Sequence, residues 1–532
     1  MDKYDRQIRL WNVSGQNALA NSSICLININ TVATEILKNI VLSGIASITI
    51  VDSNLITEND LATNFFFTEQ DLGFSKSEVL SKNLSILNPD VSISYINNHS
   101  TVDLINDNNF WNQFNCIIYT PLSSIDNIHD DNTNNNINID ISFLLSDLLW
   151  NLNIPLLRIS SLGFYAYLQI QYNEQSIIDT HENNLHDLRL DSPWPELKAF
   201  IDSIDLNPEL NDLYYQIPYS IILTKIFQSL KSNNSINPIK PNDIRNQIKL
   251  LYQSGDEINL NEAYNKAYLI LKNSYDISND LLQILNNENA KSSNLNNKSS
   301  IFWILINALN QFYNEFGLLP LSGSLPDMES NTTIYIKLQK LYADKFNNDK
   351  DYIKFKVLES LKKLNRSFNE LSDSLLTTFV KNSKFLKFIK GSKWNSTTQI
   401  LQYFEKLIND STSDSNSTIN SEALIYLSFM IIESYVQQNG NYPTPQNKSE
   451  LRTLAISILC NDDNLKSFPD GLDKVLDEMC RSNGKELHNI SAFLGGIAAQ
   501  ETIKILTNQY VTLDNSLVVD GINGKTSTFK LT

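Results

Sequence analysis

Residues 24–52 read ICLININTVATEILKNIVLSGIASITIVD. The apolar run Ile24 to Ile29 predicts a buried strand, and Ala33 to Leu42 carries helical spacing up to a Ser43-Gly44 stop. A second apolar strand, Ile48 to Val51, ends in Asp52. This is the outline of a βαβ unit of the kind that holds a nucleotide, with an acid where the ribose would be met. A G-x-G-x-x-G turn would offer bare backbone N–H groups to phosphate at the helix N-terminus. Here the turn is Asn28-Ile29-Asn30-Thr31-Val32-Ala33. The side chains of Ile29, Thr31 and Val32 are expected to crowd a phosphate. The scaffold is there in outline, and its phosphate chemistry is not.

Further strand and helix signals alternate over the first 165 residues. Lys76 to Leu87 predicts a helix stopped by Asn88-Pro89, and Val91 to Ile96 alternates like a strand. Cys116 to Tyr119 is a short buried strand, Ile141 to Leu152 an amphipathic helix, and Ile154 to Ile159 the next strand. Such alternation predicts a doubly wound α/β sheet. From about 180 to 480 helical spacing takes over, as in Ile301 to Phe316 and Ala423 to Val436. Then His488 to Leu506 reads as one helix whose face holds Ala492, Gly495, Gly496 and Ala499. A mid-helix glycine costs about 1 kcal/mol against alanine, and close approach of another element is the usual compensation. Val511 to Leu513, Leu517 to Asp520 and Thr526 to Leu531 predict closing strands. The simplest organisation is an α/β domain in two pieces, 1–165 and 481–532, around a helical insertion at 166–480.

Composition narrows the partners. The chain has 532 residues, enough for two or three domains, and a net charge of −17. So acidic a chain repels nucleic acid and anionic membrane, and neither is expected as a partner. No apolar run has membrane-spanning length, and the opening MDKYDRQIRLW has no apolar core for a signal peptide. Cys25, Cys116, Cys460 and Cys480 are far apart and form no C-x-x-C pair, which predicts a reducing compartment without disulfides or zinc. Cys25 and Cys116 read as core residues of strands. Cys480 precedes Arg481, which would favour a thiolate. The histidines show no metal spacing, so no metal site is expected. The asparagine-rich tract 130–136 reads as a solvated loop.

Several segments, in order, resemble the ubiquitin-like-protein activating enzymes. They are Tyr4-Asp5-Arg6-Gln7-Ile8-Arg9-Leu10-Trp11 with Gly15-Gln16, then Gln70-Asp71-Leu72-Gly73 with Lys76. Asp187-Leu188-Arg189-Leu190-Asp191, Gly323 to Met328, Tyr335 to Gln339 and the glycine-paired helix from His488 follow. The pattern is similar to the regulatory, non-catalytic subunits of heterodimeric neddylation activating enzymes, over residues 4 to 531. The resemblance implies a Rossmann-like adenylation (ThiF-type) domain with a large, mostly helical insertion that corresponds to a degenerate catalytic-cysteine domain. It implies a catalytic partner subunit that adenylates a ubiquitin-like modifier with MgATP, carries it as a thioester and passes it to a conjugating enzyme. It also implies cytoplasmic and nuclear localisation.

Set against that reaction, the chain lacks parts. Active relatives follow the second strand with an Asn-x-x-Arg-Gln-like segment, and the matching Asn59 to Phe65 holds no cation. Where a metal-binding aspartate would follow Cys116, Thr120-Pro121-Leu122-Ser123 stands, and Asp126 comes late. No catalytic residue is therefore expected in this chain, and no cofactor bound productively by it. Asn28, Asn30, Asp52 and Lys76 mark a degenerate nucleotide site. Asp52 also reads as a strand-end acid capping a turn, and Lys76 as a surface lysine. In relatives the arginine at the position of Arg6 crosses the dimer interface to the ATP phosphates in the partner, which implies the same role in trans for Arg6. Arg9 reads as interface charge. Two other readings stay open: a self-sufficient adenylating enzyme or NAD-dependent oxidoreductase, and a subunit for sumoylation, against which the ~300 helical residues argue by length.

Overall fold

The computed structural model describes residues 3–99, 101–121, 127–129, 136–138, 141–182, 186–209, 213–232, 239–253, 257–271, 274–394, 421–459 and 468–531. Two compact units emerge, one made of residues 1–175 with 389–532 and the other of 176–388.

The first unit is built on an eight-stranded sheet. Its strands are β1 (Ser23–Ile27), β2 (Ser47–Val51), β3 (Ser92–Ile96), β4 (Cys116–Tyr119), β5 (Leu156–Leu162), β6 (Tyr165–Gln171), β7 (Ser516–Asp520) and β8 (Lys525–Phe529). Their order is β8-β7-β6-β5-β4-β1-β2-β3. The five strands β3-β2-β1-β4-β5 run parallel. The last three add as antiparallel neighbours. Strand order therefore reverses between β1 and β4, the crevice where open α/β sheets place ligands.

The sheet carries α1 (Asp5–Ala20), α2 (Thr31–Ser43), α3 (Lys76–Leu87) and α4 (Ile141–Leu152). Helix α2 buries an apolar stripe, Val32, Ala33, Ile36, Leu37 and Ile40, in the main core. It stops at Gly44, whose φ of 83° is a left-handed cap. The Tyr4 ring lies over that glycine, where a Cβ would meet it at 2.6 Å.

The expected boundaries at 165 and 480 move. β6 continues to Gln171 and is buried along its whole length. A strand covered on both faces needs a second apolar layer. Helices α7 (Ser421–Asn439) and α8 (Leu472–Ser482), expected in the insertion, supply it. Leu424, Phe429, Leu476 and Cys480 pack with Leu162, Tyr167 and Val518. The final helix, α9 (His488–Thr507), packs on α2. Val511 to Leu513 is not a strand. There the Leu513 N–H donates to Glu501 Oε2 at 2.8 Å, and Thr512 Oγ1 to Gln175 Oε1 at 2.7 Å, in place of a ladder partner.

The second unit is mostly helical. Its longest elements are α5 (Ile301–Phe316) and the 32-residue α6 (Thr332–Lys363). Asp187-Leu188-Arg189-Leu190-Asp191 acts inside this unit as a clamp. Asp187 pairs with Arg189 at 3.1 Å and Lys384 at 2.7 Å. Asp191 Oδ2 accepts the Ser274 N–H at 2.9 Å. Burial would raise the Asp187 carboxyl, and Arg189 and Lys384 outweigh it and hold it below the ordinary value.

Candidate functional site

The turn from β1 into α2 opens at the strand-order reversal. Asn28 has a φ of 65°, the left-handed conformation that a glycine would supply, and asparagine is among the few side chains that tolerate it. Its Nδ2 donates to the Thr120 carbonyl across the crevice at 3.3 Å, and the Thr120 hydroxyl returns a bond to the Asn28 carbonyl at 2.8 Å. Asn30 is the N-cap of α2, its Oδ1 accepting from the Ala33 N–H at 2.9 Å.

Other amides of the turn are also taken. The Ile29 N–H donates to Asp52 Oδ2 at 2.6 Å. The Thr31 N–H donates to Glu486 Oε2 at 2.6 Å, and the Val32 N–H bonds the same carboxylate. These are the groups that would hold phosphate in a working turn. Ile29 and Val32 do not crowd the turn as expected, because both side chains are buried in the main core. The Thr31 hydroxyl lies 3.0 Å from that of Thr63. What fills the turn is carboxylate, not bulk.

Asp52 holds the second half of this arrangement. Its Oδ1 accepts the Asn54 N–H at 2.7 Å and the Asn54 side-chain amide at 2.8 Å. Burial pushes its carboxyl above the ordinary value, against the pull of Asn54, Lys76 and the Ile29 N–H. So Asp52 caps two turns, and three of its four acceptor sites are taken by the chain's own N–H groups. Lys76 is not a surface lysine. It is buried, and its Nζ bonds Asp60 Oδ1 at 2.6 Å. Asp60 in turn closes the short helix Glu58–Leu61 by accepting the Thr57 N–H at 2.8 Å. The segment Asn59 to Phe65 thus holds no cation, and its one acid, Asp60, takes up Lys76. The residues of this chain therefore do not fit a nucleotide with its phosphates at the turn.

Asn28, Asn30, Asp52 and Lys76 are thus brought to one place, and Arg6 is not bonded to any of them. The Arg6 side chain is exposed on α1 and forms no hydrogen bond or ion pair with another described residue. Arg9 pairs with Asp5 at 3.0 Å. The helix beneath Arg6 is fastened. Gln7 Nε2 donates to the Leu42 carbonyl at 3.2 Å, and Gln16 accepts from Trp11 Nε1 at 3.1 Å while donating to the Ser43 carbonyl at 3.0 Å. Gly15 is required there, since a Cβ would meet both Trp11 and Gln509 at 2.9 Å.

Sequence reasoning missed Glu486. It lies 455 positions from Thr31 and belongs to no spaced motif, so no local signal could have found it. His488, two residues on, packs its ring on Phe65 at 4.1 Å and approaches the Thr63 carbonyl at 3.2 Å. Cys480 is buried, and burial pushes its thiol up to about 11, so Arg481 does not activate it. Arg481 bonds Glu478 at 2.5 Å instead. Cys25 and Cys116 are buried in the sheet. Cys460, Asp126 and the tract 130–135 lie outside the described residues. Among the described residues no cluster could hold a metal ion, and no helix is long and apolar enough to cross a membrane.

The sequence profile of the ThiF family matches residues 4–532. The chain is 33% identical to the NEDD8-activating enzyme E1 regulatory subunit AXR1 of Arabidopsis thaliana, covering 99% of this chain and 96% of that one. It is 32% identical to the NEDD8-activating enzyme E1 regulatory subunits of Gallus gallus and Drosophila melanogaster, in each case over 99% of this chain and at least 97% of the relative. A backbone turn kept in shape while its amides are filled from within suits a subunit of such an enzyme. The chain belongs to the ThiF family and, within it, to the NEDD8-activating enzyme E1 regulatory subunits.

Proposed function

We propose that this chain is the non-catalytic half of a two-chain activating enzyme. The observation that carries the reading is the occupied turn: Asp52, Glu486 and Asn30 accept the Ile29, Thr31 and Ala33 N–H groups, which a nucleotide phosphate would need. A chain so closed contributes to adenylation through its partner. The catalytic subunit binds MgATP, adenylates the C-terminal carboxylate of the ubiquitin-like modifier and takes it as a thioester, for transfer to a conjugating enzyme. Arg6 reaches the phosphates in the partner's site, where a planar guanidinium supplies two donors to developing charge. Its setting supports this role. Leu10, Val13 and Leu42 are 47–61% exposed on α1 and the adjoining end of α2, an apolar surface of the kind that a subunit covers. The pair acts in the cytoplasm and nucleus.

The test is reconstitution. ATP–pyrophosphate exchange and thioester formation are measured for this chain, for a catalytic subunit and for both together. Activity only in the mixture is expected. Calorimetry of this chain alone with ATP and with NAD addresses the self-sufficient enzyme, and sub-micromolar binding of either overturns the proposal.

A further inference from the structure

The turn between β1 and α2 keeps the form of an anion site, and an anionic group of the chain itself sits in it. Helix α2 is 13 residues long, so its first N–H groups carry the partial positive charge of a helix N-terminus. The Glu486 carboxylate takes the Thr31 N–H at 2.6 Å and the Val32 N–H, and the Ser491 hydroxyl lies 3.4 Å from its other oxygen. That carboxylate is delivered by fixed backbone. Glu486 bridges Gly163 in parallel register, and the Gly163 N–H donates to the Lys485 carbonyl at 2.9 Å. Two residues later α9 begins. The group is thus held between the end of β5 and the start of α9. Ile29 and Val32 send their side chains into the core, and of the residues at the motif's glycine positions Asn28 bonds across to Thr120 and Asn30 caps the Ala33 N–H.

We propose that Glu486 is the resident ligand of this turn, an internal carboxylate in the position of an external phosphate, and that its occupation, beside the Asn30 cap, keeps oxyanions out. The inference goes beyond the pairing with a catalytic subunit and does not rest on it. It concerns this chain alone and is tested on it.

The full chain and its Glu486→Ala variant are unfolded thermally in sodium chloride, sodium formate and sodium phosphate at equal ionic strength. For the wild type the three salts act alike. The variant in chloride melts lower, because two N–H groups lose their acceptor, and formate and phosphate restore it beyond what chloride does. Phosphate raises the melting temperature of the variant at concentrations where it acts on the wild type no differently from chloride. Phosphorus NMR of inorganic phosphate gives a direct reading, with line broadening by the variant and none by the wild type. Glu486→Gln keeps the volume and one acceptor oxygen, and is expected to show no phosphate response. The proposal is overturned if Glu486→Ala folds and responds to phosphate and formate no more than to chloride, or if the wild type responds as strongly. It is also overturned if the alanine chain folds in none of the three salts.

Discussion

At the turn between β1 and α2, the Ile29, Thr31 and Ala33 N–H groups end on Asp52, Glu486 and Asn30 of the same chain. On α1, in the same unit, Arg6 ends on no described group, although its neighbours Gln7 and Trp11 are both bonded inward. The two regions carry the same charge logic in opposite states. A helix N-terminus and a guanidinium both recognise phosphate. One has been satisfied internally, and the other has been left outside on a fastened helix. The difference shows that a helix N-terminus can be satisfied by acceptors of its own chain without loss of the turn's conformation, while a guanidinium of the same unit stays exposed.

The largest effect should come from breaking the outward half. In the reconstituted pair, Arg6→Ala is expected to slow adenylation at limiting ATP by about a thousandfold, the low end of what an arginine supplied in trans contributes. Unfolding of the variant chain should match the wild type within about 0.5 kcal/mol, since an exposed side chain without partners is removed. Full activity of the variant would leave Arg6 as surface charge. A large stability loss would make the activity loss uninformative about phosphate.

Breaking the inward half has the opposite signature. Lys76→Ala removes the partner of Asp60 from a pair whose side chains are only 10% and 17% exposed. Leaving one buried charge unpaired costs about 3 kcal/mol, which a urea titration resolves. ATP dependence of the reconstituted enzyme should not change. A changed ATP dependence with normal stability would return Lys76 to a nucleotide site.

What the sequence disclosed follows from the range of each interaction. The strand and helix periods of 24–52 are local, so β1, α2 and β2 were legible to within a few residues. Lys76 to Leu87, Cys116 to Tyr119, Ile141 to Leu152 and Ile301 to Phe316 were read with the bounds that the structure has. β6 was missed although Ala166, Leu168 and Ile170 alternate with Tyr167, Gln169 and Gln171, a period that marks one face while both are buried. The reach of the insertion was overestimated. Helices at 421–482 look alike whether they cover a sheet or each other, and only the contacts with Leu162 and Tyr167 distinguish them. At the site, Asn28 and Asn30 were visible as departures from a pattern and Asp52 as a match to it. Glu486 was not, because its partner amides are 455 positions away.

The same carboxylate gives a pH signature. Burial pushes Glu486 from the ordinary 4.5 up to about 7, against the pull of the Thr31 and Val32 N–H groups. A raised carboxyl binds its proton more tightly in the folded chain than in the unfolded one. Its contribution to stability is therefore complete below about pH 4.5 and is lost as pH rises through about 7. Across that window the wild type should lose on the order of 1–3 kcal/mol relative to Glu486→Gln, measured by urea unfolding at each pH. Parallel curves for the two chains would mean that the carboxylate is as well hydrated folded as unfolded.

The smallest effects separate two adjacent glycines that the sequence treats as equals. Both Gly495 and Gly496 sit in α9, which packs on α2 behind the turn. A Cβ on Gly495 would stand 2.7 Å from Glu35 Cβ and 3.3 Å from the Ile36 nitrogen. Backbone of α2 cannot yield there without shifting the turn it begins. Gly495→Ala should therefore destabilise by about 1–2 kcal/mol, overpacking outweighing the gain in helix propensity. Gly496 is exposed, and a Cβ there meets nothing within 4 Å. Gly496→Ala should stabilise by up to about 1 kcal/mol, the propensity term alone. Equal and favourable responses at both positions would show that α9 stands off from α2, and would loosen the scaffold that holds Glu486 against the turn.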